Sequence, residues 1–148
     1  MSLFKQMKDI FPAHITVELL NEKYRGNMVS YLDIEYTEIG SDYLIGKMPV
    51  DHRTMQPMNI LHGGASVVLA ETLGSVASIL CIDLNKKLSV GLEINANHIK
   101  SAKSGYVYGK AQIIHLGKST HIWQIDITNE TGELVCVSRL TVAVLDKK

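Results

Sequence analysis

Gln56, His62, Gly63, Glu71 and Ser75 are the residues whose types and spacing could do chemistry. The run Gln56-Pro57-Met58-Asn59-Ile60-Leu61-His62-Gly63-Gly64-Ala65-Ser66 opens a long apolar segment. His-Gly-Gly at a loop-to-helix junction leaves backbone N–H groups at a helix amino terminus with no side chain blocking approach. Free donors at the positive end of a helix dipole suit an anionic oxygen, and in catalysis they stabilise an oxyanion. A glycine-rich start used only for tight packing has the same composition, so the run alone leaves both readings open.

Glu71 stands in the middle of the apolar segment, where desolvation demands that a carboxylate be paired or neutral. Ser75 follows four positions on and Ser78 seven, so all three fall on one polar stripe of a helix. Such a stripe wants a cavity, water or a partner chain; a structural buried network is the plainer alternative. His62 and Glu71 are nine residues apart. At about 100° and ~1.5 Å per residue they point to opposite faces, ~13 Å apart along the axis. They cannot form a hydrogen-bonded pair on a regular helix. If both act in catalysis, Glu71 works with a His62 from another subunit.

The elements that must hold these residues follow from periodicity and turn signals. Ile15 to Tyr24 reads as a helix ended by Arg25-Gly26-Asn27. Val29 to Ile39 and Tyr43 to Val50 read as a hairpin around Gly40-Ser41-Asp42, and a loop from Asp51 to Asn59 leads into the apolar helix, Ile60 to Ile82. Four strands then run from about Ser89 to Lys100, Gly105 to His115, Ser119 to Asn129 and Leu134 to Leu145. Short turns between them predict consecutive antiparallel neighbours. In the first of these strands Val90, Leu92, Ile94 and Ala96 share one face, which His98 and Lys100 continue as a pocket rim or as a plain strand end. His115, His121, Trp123 and Arg139 read as structural. The expected fold is α+β: a curved antiparallel sheet of six strands wrapped around one long central helix that is buried on nearly all sides.

Composition narrows the function classes. The chain has 148 residues, 46% hydrophobic and 20% charged, which suits a single domain spanning 1–148. Fifteen Lys plus Arg balance fifteen Asp plus Glu. That neutrality argues against nucleic acid as a partner and mildly favours self-association. The apolar helix has the length of a membrane span, but its glycines and serines and a central Glu71 favour a core helix. Lys5, Lys8 and Asp9 interrupt the amino terminus, which therefore does not read as a signal peptide. Cys81 and Cys136, in apolar runs, read as buried reduced thiols and suggest a cytoplasmic setting. His52 and His62 have no carboxylate to complete a metal ligand set. Neither a glycine-rich nucleotide fingerprint nor a G-x-S-x-G elbow occurs.

Taken together, Gln56-Pro57, Leu61 through Glu71 and Gly74-Ser75-Val76-Ala77 resemble the active-site helix of hotdog-fold acyl-CoA thioesterases of the phenylacetate-pathway type. Val90 through His98 and Trp123-Gln124-Ile125 are similar to the subgroup of 1,4-dihydroxy-2-naphthoyl-CoA hydrolases and enterobactin proofreading thioesterases. The resemblance covers about residues 12 to 145. It implies hydrolysis of an aryl- or acyl-thioester of coenzyme A or an acyl carrier protein, without metal or redox cofactor, by a homo-oligomer. That oligomer is a dimer or a homotetramer built as a dimer of dimers. On this resemblance Glu71 is the nucleophile or general base, and Gln56 with the Gly63 N–H binds the thioester oxygen. His62 polarises the thioester or assists the departing thiolate, and Ser75 lies beside Glu71. Met58, Gly64, His98 and Lys100 contact the substrate, the last two near the thiol-carrier arm or nucleotide. An acyl-thioester dehydratase and a non-catalytic acyl-CoA binder are the rival readings.

Overall fold

Six strands and one long helix carry the fold of the computed structural model, which describes residues 8–23 and 25–148. In chain order the elements are α1 (Val17–Lys23), α2 (Met28–Tyr31), β1 (Glu35–Ile39), β2 (Tyr43–Pro49), α3 (Gly63–Leu80), β3 (Lys87–His98), β4 (Tyr106–Leu116), β5 (Thr120–Asn129) and β6 (Leu134–Asp146). Tyr24, the expected end of the first helix, and residues 1–7 of the amino-terminal segment lie outside the described residues. Where a strand was expected from Val29, the chain instead makes the short helix α2. Asn27 caps it: its side chain accepts the Val29 N–H at 3.0 Å, while Ser30 Oγ accepts the Asn27 N–H at 3.2 Å. This reciprocal capping outweighs the β preference of Val29 and Tyr31. Asp33, with a left-handed φ of 54°, then turns the chain into β1.

All strand pairs are antiparallel, in the order β1-β2-β4-β5-β6-β3. The expectation that β3 and β4 are neighbours is wrong. β3 pairs with β6 at the far edge, and residues 99–105 cross to the middle of the sheet. The crossing is tied down by the Leu61 N–H donating to the Ala102 carbonyl and the Val50 N–H donating to that of Gly105, each at 2.8 Å.

α3 lies against β2 through β6, in the hotdog arrangement. Its inward face is Ser66, Leu69, Ala70, Leu73, Gly74, Val76, Ala77 and Ser78. Gly46 and Gly109 are paired across β2 and β4, and the groove they leave receives Leu73. Burying a leucine this completely contributes about 2 kcal/mol. α3 is not covered all round. Gly64 and Glu71 are exposed, and Val67, Val68, Thr72, Ser75 and Ile79 are half-buried on the same open stripe. By length and composition α3 could cross a membrane, but 44% of it is buried in the chain and it packs on five strands.

Ser78 does not join Glu71 and Ser75 in a polar stripe. Its hydroxyl accepts from the Trp123 indole N–H at 2.7 Å and lies 3.1 Å from His121 Nδ1, inside the core. Burial holds the His121 imidazole below its ordinary 6.5, against the opposing pull of the Gly117 backbone. Since Ser78 Oγ accepts from the indole N–H, its own O–H can donate to Nδ1, which keeps the buried ring neutral and satisfied. Both cysteines are free thiols, Cys136 buried and Cys81 half-buried; burial pushes the Cys81 thiol up to about 12.

Candidate active site

The loop before α3 is a tight reversal. The Gln56 N–H donates to the Ile60 carbonyl and the Asn59 N–H to that of Gln56, each at 2.9 Å, with Asn59 left-handed at φ 58°. Asn tolerates that conformation better than other residues with a Cβ. Within the loop the Met58 N–H donates to Gln56 Oε1. An N–H partner fixes the amide orientation, so Gln56 presents its Nε2 donors elsewhere.

His62 is the amino-terminal cap of α3: its Nδ1 accepts the Gly64 N–H at 2.8 Å. That bond occupies the Gly64 donor and places the imidazole proton of a neutral His62 on Nε2. Of the two glycine N–H groups expected to be open to a ligand, only that of Gly63 is left. It donates to nothing among the described residues. Gly63 is also where a β3 side chain comes close to the α3 backbone. A Cβ there would stand 2.7 Å from His98 Nε2, so the imidazole rests on bare helix backbone.

These features converge on a cavity of about 260 Å³ lined by Gln56, Leu61, Gly63, Ser66, His98 and Lys100, among others. Lys100 is ion-paired with Glu133 at the rim, and this ammonium holds the Glu133 carboxyl down at about 2. The cavity therefore offers the donors of a helix start, a side-chain amide, an imidazole and a lysine, but no carboxylate that could attack a carbonyl.

The other expected residues lie elsewhere. His62 borders a separate cavity of about 220 Å³ with Met28, Leu32, Arg53 and Met55. Met58 is exposed on the loop and lines neither space. Glu71 is exposed, rather than buried and neutralised, two turns along α3, with the half-buried Ser75 one turn beyond it. Gly63 and Glu71 are eight positions apart on the helix, about 12 Å of rise.

Sequence reasoning missed what faces that carboxylate. β3 carries a bulge between Gly91 and Glu93, so Val90, Leu92, Ile94 and Ala96 do not share a face. Val90 and Leu92 are exposed, while Gly91 turns toward α3, its missing Cβ position 2.7 Å from Glu71 Oε1. A lone glycine in the middle of a strand was the available signal. Among the described residues no three His, Cys, Asp or Glu side chains gather as metal ligands.

Comparison with known proteins identifies the family. Residues 58–136 match the Thioesterase superfamily. The chain is 54% identical over 136 residues to the 1,4-dihydroxy-2-naphthoyl-CoA hydrolase of Escherichia coli, covering 92% of this chain and 99% of that one. It is 46% identical over 136 residues to the proofreading thioesterase EntH of Cronobacter turicensis, covering 92% and 98%. A solved thioesterase from Haemophilus influenzae superposes with a TM-score of 0.89 at 48% identity, covering 93% of this chain and 95% of that one. A solved mutant thioesterase from Pseudomonas aeruginosa gives 0.91 at 43%, covering 93% and 99%. The family match over more than half of the chain, together with relatives at 46–54% identity over nine-tenths of its length, shows that the chain belongs to the thioesterase superfamily.

Proposed function

We propose that this chain is one hotdog domain that hydrolyses an aryl- or acyl-CoA thioester, with active sites shared between subunits of a homo-oligomer in the cytoplasm. One observation carries the reading. Gln56 and the Gly63 N–H border one cavity, while Glu71 lies about 12 Å along the same helix. A carboxylate or its water must come within about 3–3.5 Å of the carbonyl carbon. The Glu71 that serves a given cavity therefore comes from a second chain. Two surfaces support that assembly: the unpaired edge of β3, twelve residues long with Val90 and Leu92 exposed, and the open stripe of α3. A dimer, or a dimer of dimers, covers both.

In the proposed reaction the Gln56 amide and the Gly63 N–H donate to the thioester oxygen and stabilise the charge that develops there. Glu71 of the second chain attacks the carbonyl carbon or activates the water that does, with Ser75 beside it. The C–S bond breaks, and the thiolate departs with a proton available from His62 Nε2. Water supplies the oxygen of the free acid. His98 and Lys100 flank the thiol-carrier arm, and Gly64 and Met58 border the substrate's approach. A CoA carrier is supported by the names of the E. coli relative and by Lys100 at the rim; an acyl carrier protein remains a carrier to be tested beside it.

Release of free thiol from benzoyl-CoA, from a panel of acyl-CoAs and from an acylated carrier protein tests this directly. The expected result is turnover that falls by roughly 10³-fold or more in Glu71→Ala, the scale on which a reacting group contributes. Binding without thiol release across the panel overturns hydrolysis in favour of a binder. Water loss from a 3-hydroxyacyl-CoA without thiol release points instead to a dehydratase.

A further inference from the structure

Two contacts along the α3–β3 seam mirror each other. At the start of α3 a helix glycine, Gly63, lies beneath a strand side chain, His98. Two turns on, a strand glycine, Gly91, lies beneath a helix side chain, Glu71. Residues 91 and 98 are seven apart, and regular β alternation would send them to opposite faces of the sheet. The bulge between Gly91 and Glu93 inserts one residue and reverses the alternation, so both positions face α3. β3 thereby holds the imidazole at one end of the seam and receives the carboxylate at the other.

We propose that Gly91 is the positioning residue for the Glu71 carboxylate, its absent side chain leaving the slot that fixes where Oε1 stands. The proposal rests on Glu71 as the reacting carboxylate. A Cβ at Gly91 would approach Oε1 to 2.7 Å, closer than real Cβ contacts allow, while its next neighbour, Leu140 Cδ1, is 3.8 Å away. The conflict is therefore with the carboxylate alone and not with the core. The backbone at Gly91 is not left-handed, so alanine fits the chain there without strain. The substitution moves one functional group and leaves the fold in place. A shift of about 1 Å in a reacting group is worth up to ~100-fold in rate.

The test compares Gly91→Ala in the wild-type and Glu71→Asp backgrounds, using benzoyl-CoA as the probe. In the wild-type background kcat is expected to fall at least tenfold, with KM within twofold and a melting temperature equal to or above that of the parent. Aspartate withdraws the carboxylate by one methylene, so Gly91→Ala is expected to cost less than threefold there; that non-additivity is the mark of a direct contact. An independent readout is the ¹³C chemical shift of the Glu71 carboxyl at one fixed pH, which changes in Gly91→Ala when the carboxylate is displaced. Unchanged kcat and an unchanged Glu71 carboxyl ¹³C shift in Gly91→Ala, while Glu71→Ala is inactive, overturn the positioning role and spare Glu71. Equal fractional losses in both backgrounds, with a lowered melting temperature, also overturn it, in favour of a purely structural glycine. Full turnover in Glu71→Ala removes the functional reading and this proposal with it.

Discussion

His62 and Glu71 stand on different walls of the molecule: His62 borders a cavity with Met28 and Met55, whereas the Glu71 carboxylate rests over Gly91 on β3. No rotamer joins them across a helical separation of nine positions. If each active site takes one residue from each of two chains, inactive variants should complement. His62→Ala and Glu71→Ala, unfolded together and reassembled as an equal mixture, are expected to recover about a quarter of wild-type turnover, since half the dimers are hybrids with one intact site. A mixture no more active than its components sinks the shared site.

Gln56 offers its amide because the Met58 N–H occupies Oε1. In the proposed reaction Gln56→Ala removes one of two donors to the thioester oxygen, and kcat is then expected to fall by about 10²-fold with the melting temperature unchanged. Gln56→Glu replaces the donor with an acceptor and should do no better. A loss confined to KM would mean that Gln56 binds the ground state and the transition state equally.

Lys100 lies at the cavity rim, paired with Glu133. If it meets the nucleotide end of CoA, Lys100→Ala raises KM for an acyl-CoA about tenfold and leaves kcat within twofold, an effect that salt erodes. With a short N-acetylcysteamine thioester, which has no nucleotide, the variant and wild type should match. Equal losses on both substrates would place Lys100 at the chemistry instead.

His121 gives stability a pH dependence whose sign follows from burial. Its folded value lies below 6.5, so under acidic conditions the unfolded chain takes up a proton that the folded chain refuses. The stability that this neutral ring supports is complete above pH 6.5 and is lost as the pH falls below it. Urea midpoints measured from pH 7.5 to pH 5.5 should therefore decline, and His121→Gln should flatten the decline. An identical slope in the variant would assign the acid sensitivity to other groups.

The α+β class, the central helix and the four closing strands were legible because their periodicity is long and their turns carry Gly, Asn and Lys. α2 was not, since Val29 and Tyr31 favour strands and only the cap formed by Asn27 and Ser30 decides the matter. The neighbours of β3 were not legible either. A connection of seven residues, 99–105, looks like a turn but serves as a crossing. At the site, the grouping of Gln56 and Gly63 followed from local sequence. The meeting of Gly91 with Glu71 depended on a bulge, which shifts register by one residue and leaves almost no compositional trace. Burial of the whole helix was over-read: an apolar stripe records that something covers it, and cannot say whether the cover is the same chain.

The crossing from β3 to β4 also sets an order of events. The cavity takes residues from the loop before α3, from α3, from the end of β3, from the crossing and from Val135 at the start of β6. The walls drawn from β3, the crossing and β6 cannot close on the start of α3 until β3 has paired with β6, the most distant strand in the chain from the loop that carries Gln56. Contacts so far apart in sequence form late, after the local hairpins have closed. The second wall of the cavity is therefore completed late in folding, and a partly folded chain has the donors at the start of α3 but no enclosed space beside them.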